Sequence, residues 1–576
     1  MDLKAVKEGI SEHEVISFDL FGTLLIRPYI DPKDVFRHIE RNEKLPGFCR
    51  ERVRAERSSR ARIGPEITYD DIYSEIDKKF RHIKEMELDY ERSILKANPE
   101  MKQMFRYALE NGKKVIVISD MYLPSDFLDR VLNKNGFSGY SKIFVSCEHG
   151  CNKASGDLFR VVMNDLGINA ESMLHIGDDK RSDLDSPKRI GIDAVWYESI
   201  VSQYLSCNKK EHRVYRSKKS LDISILLAMN AMKWKREKES GTVKNYWYDT
   251  SYEFGGPIAY SFIRHVKRNL MNDTEKIFFI ARDGYNLIKL FDILYGDIFE
   301  HSYVYAPRTF RFLEGRNNGD SRNQAYWTVK YFLNDPRVEH LMPNKSLSTR
   351  DCVKIYSKNT EIFERLRSEE IEKYKGYMEK VLADCKRIEI VDVTTMEYSS
   401  QRLVEYFAEE GSEVIGHYCM ALKDSKTRKH SAFHDRSHNF FNWSEVNVTE
   451  LFMSSPEPPV CGISKEHEPI FRENNSEHEL KRISVCDDIL RGEIDFVNDL
   501  METFGDKLPE MSSEAMRQWT LFLIKRRSES DRENILKMMW APDFDHSRYY
   551  YLVFSPSDTW HHVKNKGLSV VKRIFD

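Results

Sequence analysis

The chain is 576 residues long, too many for one hydrophobic core, so two or three domains are expected. Its 89 Lys and Arg nearly balance 92 Asp and Glu, leaving a net charge of -3 and no field that would draw in nucleic acid or an anionic membrane. A 41% apolar content excludes a disordered chain, nine scattered Cys exclude a disulfide framework, and no apolar run approaches a membrane span. A cytoplasmic protein with no integral membrane segment is expected.

The first two hundred residues alternate short apolar strands with amphipathic helices. "EVISFDLFGTLL" (14–25) is a strand that runs into a Gly-Thr turn. Residues 30–110 hold no comparable strand, and their Glu, Lys and Arg recur at helical spacing, which predicts a helical insertion. "KKVIVISD" (113–120), "KIFVSCE" (142–148), "MLHIGDD" (173–179) and "DAVWY" (193–197) follow as further strands. Continuous apolar strands separated by helices predict an α/β fold with a parallel sheet. The first domain is expected to span 1–205, with a linker or helix over 206–240 whose basic run "NKKEHRVYRSKKS" reads as a solvated face. A second α/β domain with a helical carboxyl-terminal part is expected over 241–576, starting from "KIFFIARDGYNLIKLF" and "RIEIVDVTTMEYSSQRLVEYF".

In an open parallel sheet, ligands bind beyond the carboxyl ends of the strands. Asp19 and Thr23 stand there after the first strand, and Ser119 and Asp120 after the second. Lys153 comes after the third, in "GCNKASGDLF", and Asp178, Asp179 and Asp183 after the fourth. Each residue alone is an ordinary turn or helix cap. Their order along successive strands is the signal. "CEHGC" (147–151) has no second ligand pair at zinc-like spacing and reads as a turn leading to Lys153.

The four segments "FDLFGTL", "VIVISD", "NKASGDLF" and "IGDDKRSD" resemble the signatures of the haloacid dehalogenase superfamily, which consists largely of phosphatases. The resemblance covers about residues 13–200 and implies a Rossmann-like parallel sheet with a helical cap at about 30–110. "SDMYLP", "SCEHGCNKASGDLF" and "FFIARDGY" further resemble a bacterial subfamily of predicted hydrolases that accompany surface-polysaccharide glycosyltransferases. That likeness implies a role in polysaccharide biosynthesis and association with glycosyltransferases. By resemblance Asp19 is the nucleophile on a small phosphorylated metabolite, and Mg²⁺ is the cofactor. Asp19, Asp178, the backbone carbonyl of Phe21, and Asp183 or Asp179 would hold the ion. Ser119 would donate to a phosphoryl oxygen, Lys153 would neutralise charge, Thr23 would orient the first loop, and Asp120 would adjoin the substrate.

Position 21 departs from the pattern. Many phosphatases of the superfamily carry Asp there to protonate the leaving oxygen, and Phe21 cannot. Three readings follow: hydrolysis of a phosphorylated substrate with a good leaving group, a catalytically weak ligand-binding or scaffold protein, and dehalogenation. The acids at 178, 179 and 183 favour a phosphorylated ligand. In the second domain Arg282, Asp283, Arg308 and Asp392 stand at strand ends, either as an anion pocket or as pairs that lock loops to the sheet.

Overall fold

The computed structural model describes residues 3–553 except 244, 308–309, 311, 313–320, 343–346, 383–384, 396–397, 423–426, 437–442, 474–475 and 542–548. The chain divides into two units, Met1–Val243 with Asp499–Glu510, and Lys244–Asn498 with Met511–Asp576. Each unit has its own five-stranded parallel sheet, so the fold is α/β throughout.

The first unit opens with α1 (Leu3–Glu12) and β1 (Val15–Phe18), whose four residues are all buried, as a strand covered on both faces requires. A short β2 (Leu25–Ile26) then carries the chain out of the sheet. Helices α2 (Asp34–Asn42), α3 (Phe48–Ile63), α4 (Tyr69–Glu75) and α5 (Lys84–Ile94) follow. The chain returns through β3 (Lys96–Ala97), which pairs antiparallel with β2 and so ties entry to exit. A capping box between Thr68 and Asp71 starts α4, satisfying backbone donors that would otherwise be orphaned.

The insertion therefore closes near residue 95. The next helix, α6 (Pro99–Glu110), covers the sheet, with the Phe105 ring 5.7 Å from that of Phe18. Asn98 caps it, and Pro99 occupies the first turn, where its missing N–H costs nothing.

Then come β4 (Lys114–Ser119), α7 (Ser125–Lys134), β5 (Lys142–Val145), α8 (Ser146–His149), α9 (Asp157–Leu166), β6 (Met173–Gly177), α10 (Ser186–Arg189) and β7 (Asp193–Trp196). The sheet order is β5-β4-β1-β6-β7, with Phe18 in register with Val117 on one side and Ile176 on the other. Val15, Ile116, Ile118, Phe144, Leu158 and Phe159 fill one core face. The chain winds outward from β1 first one way and then the other, which opens a crevice at the carboxyl end of β1. Residues 200–240 are helical, as α11 (Ile200–Cys207), α12 (Lys209–Lys218) and α13 (Leu221–Ser240), and they cluster with the first unit. Every residue of α13 from Leu221 to Ala231 is buried.

The second unit contains α14 (Tyr246–Thr250), α15 (Gly256–Asn269), β8 (Lys276–Ile280), α16 (Gly284–Tyr295), β9 (His301–Val304), α17 (Ser321–Tyr331), α18 (Thr349–Lys358) and α19 (Thr360–Leu382). It continues with β10 (Arg387–Thr395), α20 (Ser399–Phe407), β11 (Glu413–Leu422), β12 (Lys429–Arg436), α21 (Trp443–Met453), β13 (Val460–Ile463), β14 (Pro469–Phe471) and α22 (Glu477–Phe504), of which the residues up to Asn498 belong to this unit. Its parallel sheet runs β12-β11-β10-β8-β9, so the winding reverses between β8 and β10. Phe278, Ile280, Ile388 and Ile390 form the core with Phe363, Leu366 and Tyr374 of α19.

Candidate active site

Asp19 leaves the end of β1 with its N–H donating to the Ile176 carbonyl at 2.8 Å, which stitches the first loop to β6. Gly22 follows at φ +85°, and any Cβ there would strike the Asp178 carboxylate. A Cβ on Gly177 would strike Asp183. Two glycines thus leave room for two acids beside a third.

Lys153 arrives from the loop before α9. Its N–H donates to both Asp120 oxygens at 2.9 and 3.2 Å, and its carbonyl accepts from Ser186 Oγ at 2.5 Å. So fixed, it places Nζ 2.5 Å from Asp19 Oδ1 and 2.6 Å from Asp183 Oδ1. The side chain is 2% exposed, so little water screens these contacts.

The charges do not balance. Asp19, Asp178 and Asp183 present oxygens that all lie within 4.8 Å of one another, and one ammonium answers them. Burial, reinforced by Asp183, pushes the Asp19 carboxyl above its ordinary range despite Lys153. Burial and the charge of Asp19 do the same to Asp178. Burial would raise Asp183 too, but Lys153 and a hydrogen bond from His175 outweigh it and hold Asp183 low. Lys153 is held above its ordinary range, because Asp19, Asp183 and Asp120 overcome the cost of burial. Two carboxyls driven up around one lysine, all oxygen donors in a small compass, suit a hard divalent cation such as Mg²⁺. The fully buried Thr23 hydroxyl, which has no partner among the described residues, belongs to the same loop.

The structure brings Asp19, Lys153, Asp178 and Asp183 together. Ser119 ends β4, 1% exposed, on the strand beside β1. Asp179 does something else: its carboxylate caps the wide turn Lys180–Asp185 through the N–H and hydroxyl of Ser182, at 2.8 and 3.0 Å. Asp120 holds the Lys153 backbone. Phe21 lies under the guanidinium of Arg27, whose Cζ is 4.0 Å from the ring centre.

Sequence reasoning missed three contributors. His175, fully buried inside β6, bridges Ser17 Oγ at 2.7 Å and Asp183 Oδ1 at 3.1 Å. Asp183 is ionised and can only accept, so His175 donates from Nε2. A histidine within an apolar strand was the available signal. Arg27 is the second; its Nε and Nη2 grip Glu91 of α5 at 3.3 and 3.4 Å. The third is Tyr122, just past Asp120, which stacks on Tyr69 of α4 with ring centres 6.2 Å apart and lies beneath Arg52 of α3. Arg52 is in turn held by Glu87, which also accepts from Tyr73 at 2.7 Å. These contacts seat the inserted helices on the loop that follows Ser119.

Residues 13–191 match the family of haloacid dehalogenase-like hydrolases. The first unit carries a haloacid dehalogenase-like domain. No curated protein matches the chain. Among solved structures, an L-2-haloacid dehalogenase from Xanthobacter autotrophicus is 16% identical over 34% of this chain and 82% of its own, with a TM-score of 0.25. A predicted phosphoglycolate phosphatase from Haemophilus somnus is 15% identical over 32% and 85%, with a TM-score of 0.24. A haloacid dehalogenase-like hydrolase from Xanthomonas campestris is 15% identical over 33% and 82%, with a TM-score of 0.26. In this chain's domain the inserted helices lie between β2 and β3. Among the described residues, no helix is long and apolar enough to cross a membrane.

The second unit presents a different picture. Arg282, just past β8, pairs with Glu479 of α22 at 3.0 Å, and the same carboxylate takes Arg482 at 2.8 and 3.0 Å. Burial and the nearby Arg482 lower the pKa of Arg282, while Glu479 and Asp283 oppose that fall. Asp392 lies within β10, its Oδ1 accepting from the Val393 N–H at 2.9 Å. Arg308 lies outside the described residues.

Proposed function

We propose that the dehalogenase-like domain is a Mg²⁺-dependent hydrolase of a small phosphorylated metabolite, acting through an aspartyl-phosphate on Asp19. One observation carries the reading: Lys153 Nζ sits between Asp19 and Asp183 at 2.5 and 2.6 Å, in an acid cluster that a single lysine does not neutralise. Asp19, Asp178, Asp183 and the Phe21 carbonyl would hold the ion, which when bound supplies positive charge against the incoming phosphate.

An Asp19 oxygen attacks phosphorus, an O–P bond forms, and the bond to the leaving oxygen breaks with its electron pair. Lys153 offsets the charge that gathers on the phosphoryl oxygens, and Ser119 donates to one of them. Water then attacks the phosphoryl group, releasing inorganic phosphate and the Asp19 carboxylate. Lys153 also opposes the burial that raises the Asp19 carboxyl, favouring the ionised form a nucleophile needs.

Phe21 bears no proton to give the leaving oxygen, and the group against its ring is the Arg27 guanidinium, a hydrogen-bond donor rather than a general acid. The site therefore favours leaving groups that depart as anions, such as those of phosphoanhydrides, acyl phosphates and sugar 1-phosphates. The same feature favours a second reading, a domain that binds a phosphorylated ligand with little turnover. Involvement in surface-polysaccharide synthesis beside glycosyltransferases rests on the subfamily resemblance, and a cytoplasmic location rests on the nine scattered cysteines. A Mg²⁺-supplemented phosphatase screen of the wild type beside Asp19→Asn tests the reading. Turnover confined to the wild type supports it, and turnover surviving in Asp19→Asn contradicts it. Saturable binding without turnover supports the second.

A further inference from the structure

The basic run of residues 208–220 stands apart from the acid cluster at Asp19. Helices α11 and α12 meet around Asn208, and a groove of about 860 Å³ lies along them. Four of its lining residues are Lys209, His212, Arg213 and Arg216 of α12. At about 100° per residue these fall within a stripe of roughly 100° on one helix face, with Glu211 on the opposite side. Three hydroxyls, Ser202 and Ser206 of α11 and Ser217 of α12, complete the polar lining, and no carboxylate joins them. Among the described residues none of the four basic side chains forms an ion pair.

Such a face works against itself. Lys209 and Arg213 stand four apart and Arg213 and Arg216 three apart, spacings at which like charges destabilise a helix. An anion seated in the groove relieves that repulsion and meets the fork geometry of two guanidiniums. The concavity separates this face from an ordinary solvated one and from a flat membrane-binding surface. Its volume falls in the range of small-molecule sites, about 300–1,000 Å³, and exceeds what a single phosphate fills. Lys209 and Arg216 lie about 10 Å apart along the helix, enough to engage two or three linked phosphates together.

We propose that the groove between α11 and α12 binds a small molecule carrying two or more linked phosphate groups, at a site separate from Asp19. The probe is inorganic tripolyphosphate, titrated calorimetrically into the full chain in metal-free buffer. Binding is expected, weakening steeply with added salt. The triple variant Lys209→Ala, Arg213→Ala, Arg216→Ala is expected to lose at least about tenfold in affinity and most of the salt dependence. Lys153→Ala is expected to bind as the wild type does. All three α12 residues are exposed, and a single Arg213→Glu variant repeats the test with less change to the helix. Absence of binding to the wild type, unchanged affinity in the triple variant, or loss of binding in Lys153→Ala would each overturn the proposal. So would tighter binding of a poly-glutamate peptide than of tripolyphosphate.

Discussion

Both units place charge at the carboxyl end of the strand from which their parallel sheet winds outward, and they treat that charge in opposite ways. At the end of β1, three mutually close carboxylates face one ammonium, and burial drives two of them up. At the end of β8, Arg282 and Arg482 share Glu479, and the charge of Asp283 acts on both. The first arrangement is stable only with further positive charge, whereas the second answers its own cations and reads as structure. An Asp or Arg at a strand end says little by itself. The balance of the charges around it separates a site from a brace.

The largest expected effect comes from removing the cation that the first cluster does have. Lys153→Met leaves Asp19 and Asp183 without their ammonium, and catalysis on any substrate found is expected to fall by about 10²–10³. A rate within threefold of wild type would break the contrast drawn here. In the second unit, Glu479→Gln strips the buried Arg482 and the half-buried Arg282 of their shared partner and is expected to cost about 3 kcal/mol in denaturant unfolding. Phosphatase kinetics are expected to stay unchanged; a stable variant with altered kinetics would mean that the second cluster serves chemistry.

Arg27 alters what can be expected of position 21. A carboxylate introduced there pairs with the guanidinium and stays ionised, so Phe21→Asp alone is expected to change the rate on poor leaving groups by less than about threefold. Phe21→Asp with Arg27→Gln is expected to raise it by about 10². Equal rates in the single and double variants would contradict this account.

The smallest effect concerns acid. Burial, helped by Arg41, depresses the His38 pKa from 6.5 to about 3. The folded state then refuses a proton that the unfolded state accepts. Stability from this residue is intact above pH 6.5 and lost as pH falls toward 3, by at most about 1.4 kcal/mol per unit. His265 in the second unit behaves likewise, with its pKa lowered to about 3. His38→Gln is expected to flatten the decline below pH 6.5; an unchanged slope would count against it.

Much of the first sheet was legible because its strands are continuous apolar runs, each ending in a polar residue. That pattern puts Asp19, Ser119 and Asp178 at strand ends, whereas Lys153 stands eight residues past β5 and was singled out by its order in the chain and by the family resemblance. Spacing could not choose between Asp179 and Asp183: the wide turn at 180–185 directs one to cap it and the other inward, a matter of backbone path. The insertion was drawn about fifteen residues too long because α6 has the same helical periodicity as α5, and only packing on Phe18 distinguishes it. Arg27 over Phe21 and Glu479 between two arginines are meetings through space. Glu479 lies 197 residues from Arg282.

The proposed chemistry stands on Asp19 taking a phosphoryl group. Acid-quenched wild-type protein, caught during turnover with Mg²⁺ and its substrate, is to be digested and its peptides weighed. One phosphoryl group is expected on the peptide containing Asp19, discharged by hydroxylamine and absent from Asp19→Asn. Turnover with the phosphoryl group on another residue, or an equally labelled Asp19→Asn protein, would contradict it.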